Sequence, residues 1–300
     1  MKILAAIVTY NRRALLERCI DHVRSQTRPP DRLLVINNSS PDDTIEMLNR
    51  KRVDHVTQPN VGSAGGWRRA LDSALEGGFD ATWLMDDDGF PAPDALAQLE
   101  ATLKPGIACA SSVVVREHDR SRFVFPFPVL NSRGLPVLFA GRRKLHTLGE
   151  LEAMAKDGCY PFAHLFNGAL VRTDVLRHIG NVDDRFFLMG DEVDFFMRMR
   201  RHGEVVSNLR AYHYHPDVTS RPLDAAKFYY YVKNTIILNQ RYFDKPALRN
   251  LAAVGAAVWR TARRNSAREA LSYLAGAKLP VLWKAVRRGL HGQVGRDFND

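Results

Sequence analysis

The order of apolar runs and helix-spaced segments over residues 3–85 constrains this chain more than any other feature. Ile3–Val8 is a continuous apolar run, read as a strand buried on both faces. Arg12–Gln26 then carries Leu15, Leu16, Cys19, Ile20 and Val23 at helical spacing, and Pro29-Pro30 ends that unit. Leu33–Ile36 reads as a second strand, Thr44–Leu48 as a short helix and Val53–Thr57 as a third strand. Ala64–Leu75 is helical, Gly77-Gly78 closes it, and Ala81–Met85 is a fourth strand. Strands that alternate with helices across short loops predict an α/β fold with a mostly parallel sheet covered on both faces.

Such sheets bind ligands beyond the carboxyl ends of their strands. Four polar clusters fall just there: Thr9–Asn11, Asn37–Ser40, Asn60–Gly62 and Asp86–Asp88. The last is the most demanding electrostatically. In an extended exit from a strand, Asp86 and Asp88 project to one side. Two carboxylates so placed repel unless a cation lies between them, and hard oxygen ligands suit Mg²⁺ or Mn²⁺. A solvated acidic loop is the competing reading, but a helix start near Pro93-Asp94 does not need three acids in a row.

Farther on, Phe123–Phe127 and Leu135–Phe139 read as short strands, and Leu148–Lys156 as a helix. Leu165–Val171 is a strand, with Thr173 as the cap of a helix to Ile179. A second acidic cluster, Asp191-Glu192-Val193-Asp194, opens a helix to His202, and Val205–His215 alternates like a strand. From Leu223 the pattern is helical. Three scattered cysteines, Cys19, Cys109 and Cys159, build neither a disulfide framework nor a zinc site, and a reducing cytoplasm is expected. The first apolar run is too short for a signal peptide, and no stretch approaches the roughly 18 apolar residues that read as a membrane span.

The ordered set Thr9-Tyr10-Asn11-Arg12, Asn37-Asn38-Ser39, Asn60-Val61-Gly62, Gly65-Gly66, Asp86-Asp87-Asp88 and Asp191-Glu192-Val193-Asp194 resembles glycosyltransferase family 2. Residues 60–88 look most like its galactofuranosyl- and rhamnosyltransferase branch. The resemblance covers about residues 1–240. It implies a GT-A fold, an inverting mechanism, and a nucleotide-sugar donor such as UDP-galactofuranose or dTDP-rhamnose. It implies a glycan or lipid-linked glycan as acceptor, in cell-envelope polysaccharide synthesis. Thr9, Tyr10, Asn11 and Asn38 then match the loops that hold the nucleotide. Asn60 and Gly62 match the loop near the diphosphate, with Arg68 or Arg69 following. Asp86 matches the residue near donor sugar, ribose and metal, Asp87 a supporting position, and Asp88 a metal ligand. A metal-binding histidine is expected at His215, with His213 the alternative. An imidazole ligand favours Mn²⁺ over Mg²⁺.

Inverting transfer needs a base for the acceptor hydroxyl. The matching stretch places Glu192 in that role, with Asp191 as the alternative. Asp191 and Asp194 also suit a capping arrangement at the helix start, which leaves Glu192 free. Phe166-Asn167-Gly168 matches a segment on the acceptor side, while Trp67 and Trp83 read as packing residues. Phe228-Tyr229-Tyr230-Tyr231 reads as core at helical spacing, with stacking on sugar or lipid the alternative.

Net charge is +10, and residues 241–300 hold twelve Lys/Arg against four Asp/Glu. A catalytic domain over 1–240, divided near 110 into nucleotide-sugar and acceptor halves, is therefore expected to carry a basic helical extension over 241–300. That extension suits peripheral contact with the inner face of the plasma membrane. A nucleotidyltransferase is the competing enzyme, but its Gly-rich basic loop after the first strand is missing. The basic tail alone motivates a nucleic-acid-binding protein. No recognisable motif supports that reading, so nucleic acid is not expected as a partner.

Overall fold

A computed structural model describes residues 1–138, 141–218 and 221–298. The chain forms two compact units: Met1–Val182 with Phe195–Asp217, and Asp183–Asp194 with Val218–Asp300. The division by compactness does not fall at residue 240.

The first half of the larger unit follows the expected alternation: β1 (Ile3–Thr9), α1 (Arg13–Arg24), β2 (Arg32–Asn37), α2 (Thr44–Arg50), β3 (Asp54–Thr57), α3 (Gly62–Glu76) and β4 (Ala81–Asp86). Then come β5 (Phe90–Pro91), α4 (Ala95–Thr102), β6 (Ile107–Arg116), β7 (Asp119–Pro128), β8 (Lys144–Thr147), α5 (Leu148–Glu152) and β9 (Cys159–Tyr160). The rest is β10 (Asn167–Arg172), α6 (Thr173–Ile179) and β11 (Glu204–His215), while α7 (Asp191–Met199) begins in the smaller unit and belongs to the larger from Phe195 on.

The sheet runs β3-β2-β1-β4-β10-β6-β11-β5. Its first four strands are parallel, as the short βα connections require. β10 lies antiparallel to both β4 and β6, while β6 and β11 are parallel. The result is an open mixed α/β sheet flanked by helices. Alternate residues of β1 feed two separate cores. Ile3, Ala5 and Ile7 pack with Leu16, Cys19, Ile20 and Val23 of α1. Leu4, Ala6 and Val8 pack with Trp67, Ala70 and Leu71 of α3. Trp67 and Trp83 are fully buried, and Trp67 stacks on Phe166 with ring centroids 4.4 Å apart.

Two local expectations need correcting. Leu135–Phe139 is no strand over its described residues: Pro136 makes only an isolated bridge to Leu130, and Phe139 lies outside the described residues. Thr173 is the first helical residue of α6 rather than its cap, a position that Arg172 takes. The ten-residue strand β6 crosses a segment where Ser111 and Ser112 interrupt the apolar run. Both serines are fully buried.

The smaller unit contains α8 (Ala225–Tyr242), α9 (Pro246–Arg264), α10 (Ala267–Ala275) and α11 (Leu279–Leu290). Phe228, Tyr229 and Tyr230 are its core, and Phe228 stacks on Tyr273 at 3.8 Å. These three rings are therefore occupied by packing. Lys233 is completely buried in this unit and pairs with Asp297.

Candidate active site

β4 ends at Asp86, and the chain turns at Asp87-Asp88 before β5. The extended exit expected from the sequence does not occur, so simple alternation does not place Asp86 beside Asp88. The cation that relieves the crowding is Arg12. Its guanidinium lies 3.0 Å from Asp87 Oδ1 and 3.0 Å from Asp88 Oδ2. Asp87 and Asp88 are buried, while the Arg12 side chain stays partly exposed. Burial raises the Asp87 carboxyl above the usual range, although Arg12 and Thr9 pull it down. The Thr9 hydroxyl donates to Asp87 Oδ2 at 2.7 Å, and the Tyr10 backbone N–H reaches the same oxygen at 3.4 Å. Thr9 is thereby committed to the acidic turn, which ties the first loop to Asp87.

His215 Nε2 lies 2.9 Å from Asp88 Oδ1 across 127 residues of chain. The topology makes this meeting. β5 follows the acidic turn directly, and the end of β11 pairs with it, His213 opposite Pro91 and Tyr214 opposite Phe90. His215 Nδ1 stands 2.7 Å from the Pro216 carbonyl, which can only accept, so Nδ1 carries the proton. In a neutral ring Nε2 then presents its lone pair to a carboxylate oxygen. Two acceptors at that distance repel unless a proton or a metal cation lies between them. One carboxylate oxygen and one imidazole nitrogen are the donor chemistry of Mn²⁺. Among the described residues no group of three or more His, Cys, Asp or Glu is arranged to hold a metal.

His213 is fully buried, and neither ring nitrogen has a partner among the described residues. Burial first, and His215 second, push its pKa down to about 3, so it is neutral. A Cβ on Gly89 would come within 2.3 Å of His213 Nε2, and one on Gly168 within 3.0 Å of Nδ1. The two glycines therefore leave room for this ring, which, unlike His215, makes no hydrogen bond to Asp88.

The nucleotide-loop candidates form a connected rim. The Asn38 side chain donates to the Gly62 carbonyl at 3.3 Å and accepts from Gln58 at 2.8 Å. Asn60 Oδ1 accepts from the Gly62 N–H at 3.1 Å. Asn11 has φ 54°, and its N–H donates to Ser40 Oγ at 2.9 Å. Tyr10 is half-exposed above them. Arg68 is exposed on α3 and faces Asp72 one turn on at 4.0 Å, the arrangement of a solvated helix face.

Asp191, Glu192 and Asp194 belong to the smaller unit and are built by different means. The preceding loop has φ 61° at Phe187, 60° at Met189 and 101° at Gly190. Positive φ at non-glycine residues carries strain of about 1–3 kcal/mol each. Asn234 of α8, itself buried, offsets it. Its amide donates to the carbonyls of Phe186, Leu188 and Met189 at 3.2, 3.0 and 2.6 Å. Asp194 accepts from the Tyr242 hydroxyl at 2.7 Å, with Arg241 at 3.5 Å. Its carboxylate therefore serves α8. Asp191 is buried, and its Oδ2 has no partner among the described residues. Burial pushes its carboxyl up to about 6, against the backbone N–H groups of Asp191 and Glu192. Glu192 is half-buried.

Sequence reasoning gave no role to Arg12, Asn234 or Tyr242. Arg12 was visible only as the last letter of the first loop. The other two leave no local signal, because their partners lie 45 to 48 residues earlier in the chain.

A family profile described as glycosyltransferase like family 2 matches residues 2–236. The galactofuranosyltransferase GlfT1 of Mycolicibacterium smegmatis is 34% identical over 207 residues, covering 67% of this chain and 66% of that one. The chain thus spans just under two thirds of that relative's length. In structure it resembles GalNAc-T7, solved with UDP, GalNAc and Mn²⁺, at TM-score 0.60 and 13% identity. That match covers 82% of this chain and 49% of the other. It also resembles the mannosyltransferase PcManGT of Pyrobaculum calidifontis, solved with GDP-Man and Mn²⁺. The TM-score is 0.55 at 16% identity, over 97% and 85% of the two chains. These likenesses identify the fold as GT-A.

Proposed function

This chain belongs to glycosyltransferase like family 2, and from that premise we propose that it transfers a sugar, with inversion, from a nucleotide-sugar donor to a glycan or lipid-linked glycan. UDP-galactofuranose is the first donor candidate, since the relatives are named galactofuranosyltransferases, and dTDP-rhamnose is the second. The setting is cell-envelope polysaccharide synthesis on the cytoplasmic side. Residues 1–240 carry the transfer, and residues 241–300 add the basic extension.

One observation carries the reading: His215 Nε2 lies 2.9 Å from Asp88 Oδ1, while its Nδ1 is taken up by the Pro216 carbonyl. Asp88 and His215, with Asp86 nearby in sequence, would hold Mn²⁺ or, less well matched to imidazole, Mg²⁺. A metal bound there supplies positive charge to the departing diphosphate. Tyr10, Asn11 and Asn38 contact base and ribose, Thr9 and Asp87 brace the first loop, and Asn60, Gly62 and Arg68 attend the diphosphate. Glu192 takes the proton from the acceptor hydroxyl as its oxygen attacks the anomeric carbon and the bond from that carbon to the diphosphate oxygen breaks. Its partial exposure makes it more accessible to an acceptor than the buried Asp191. Asp191 remains the alternative base.

The test is a thermal-shift panel of nucleotide sugars with Mn²⁺ and with a chelator. A ligand selective for the folded state raises the melting temperature. One donor is expected to do so only with the metal present. No shift from any nucleotide sugar, with or without Mn²⁺, sinks the reading.

A further inference from the structure

We propose that the outer faces of α9, α10 and α11 form a docking surface for an anionic lipid bilayer. The proposal deepens the membrane-side placement above, and it is tested with no sugar donor present, so either reading can fail alone.

The first observation is a concentration of exposed apolar side chains on these helices. Eight of the fifteen exposed large apolar side chains among the described residues lie on these three helices. They include Leu251 at 72% exposure, Trp259 at 64%, Leu271 at 62% and Trp283 at 67%. On α9 the exposed positions Leu248, Leu251, Ala252, Gly255 and Trp259 follow helical spacing, and no charge joins that stripe before Arg263. The opposite face buries Ala253, Ala257 and Thr261. A helix apolar on both sides needs cover on both, and only one side is covered by its own unit. No helix among the described residues is long and apolar enough to cross a membrane. A surface that lies on a bilayer fits these helices, and a span does not.

The second observation is charge. Residues 246–298 hold ten Lys/Arg and two acids, Glu269 and Asp297. Both acids are already neutralised, Glu269 by Lys278 and Asp297 by Lys233 and Arg288. Arg263, Arg268 and Arg287 make no ion pair among the described residues. On α11, Arg287 lies one turn beyond Trp283 on the same exposed stripe, with Leu279 and Leu290 at its ends. Beside them opens a cleft of about 350 Å³ lined by Trp283, Lys284, Arg287, Arg288, His291 and Gln293. Cations around a pocket with an indole at its edge suit a lipid phosphate, with the ring at the headgroup level. A protein partner of mixed charge would leave these arginines unanswered.

The experiment floats the full chain with vesicles of phosphatidylcholine alone, or mixed with phosphatidylglycerol. Association with the anionic vesicles only, weakened by salt, is expected. Tryptophan emission should move to shorter wavelength, because Trp259 and Trp283 leave water while Trp67 and Trp83 are already buried. Arg263→Gln, Arg268→Gln and Arg287→Gln together should lower partitioning by about fivefold for each cation removed. Trp259→Ser with Trp283→Ser should abolish the emission shift. These side chains are exposed, and a melting curve confirms that the variants fold. Equal binding to neutral vesicles, or unchanged binding of the triple variant, overturns the proposal. A dimer that hides both tryptophans without lipid also overturns it, as does a response to inorganic phosphate without vesicle binding.

Discussion

The two acidic clusters are each a short run of carboxylates, yet they are held in opposite ways. Asp87 and Asp88 are held at close range by the Arg12 guanidinium, with Thr9 and His215 in contact beside it, so side-chain interactions set their geometry. Asp191 and Glu192 follow a loop whose positive-φ residues are tied by backbone carbonyls to Asn234 of α8. There the restraint acts on the main chain, and one carboxylate oxygen of Asp191 is left without a partner. Under the proposed function the first arrangement suits a site that exchanges a resident cation for a metal. The second fixes the main chain just before Asp191 and Glu192, which suits a base that must be held in one orientation.

The largest expected effect breaks the charged side. Asp88→Asn should lower turnover by about a thousandfold, corresponding to several kcal/mol of lost charge stabilisation. Steady-state rates at saturating Mn²⁺ measure it, and activity near the parent's would remove Asp88 from the metal role. Next, Glu192→Gln should cost on the order of a hundredfold or more in turnover while donor binding survives. Near-normal turnover in Glu192→Gln together with a dead Asp191→Asn would transfer the base role to Asp191.

His215→Ala should weaken apparent Mn²⁺ affinity by at least about tenfold, by analogy with the loss of supporting groups at metal sites. A titration of activity against Mn²⁺ checks this, and an unchanged midpoint contradicts the ligand role. Asn234→Ala is the matching test on the other side. It should lower kcat by roughly ten- to a hundredfold with the donor KM nearly unchanged, because a displaced loop costs orientation rather than donor binding. A rise in donor KM without loss of kcat would count against this role.

The smallest effect concerns stability. The folded Asp191 carboxyl titrates near 6, above its unfolded value of 3.8. The folded state therefore holds the proton more tightly. Stability from this group is complete below the unfolded value and is lost as pH rises through about 6. Asp191→Asn removes that loss and should make the protein more stable than its parent at pH 8 by up to roughly 3 kcal/mol. The difference should vanish near pH 4. Melting temperatures of both proteins across this range decide it.

The legibility of each feature follows from the range over which it is encoded. β1 to β4 and their helices were readable because buried parallel strands are contiguous apolar runs and amphipathic helices repeat locally. β6 was missed because paired serines interrupt its run, although both serines are buried and Ser111 donates to the His164 carbonyl. The acidic turn was visible as three adjacent letters, but its shape was not. Alternation assumes that a strand continues, and this one stops at Asp86. His215 was singled out by likeness to a family, since no local pattern pairs it with Asp88. Asn234 was invisible for a simpler reason: its partners are backbone carbonyls, which every residue has.

The pairing of β5 with β11 has a consequence for assembly in time. The Asp88–His215 contact closes 127 residues of chain, and contacts of such separation form late because closure entropy opposes them. As the chain emerges from the ribosome, β1 to β4 and the Arg12-bridged turn can be complete while the imidazole has yet to be synthesised. A nascent enzyme at that stage has half of its proposed metal pair, with Arg12 guarding the acids against premature metal capture. The proposed metal pair would thus be complete only with the last strand of the sheet.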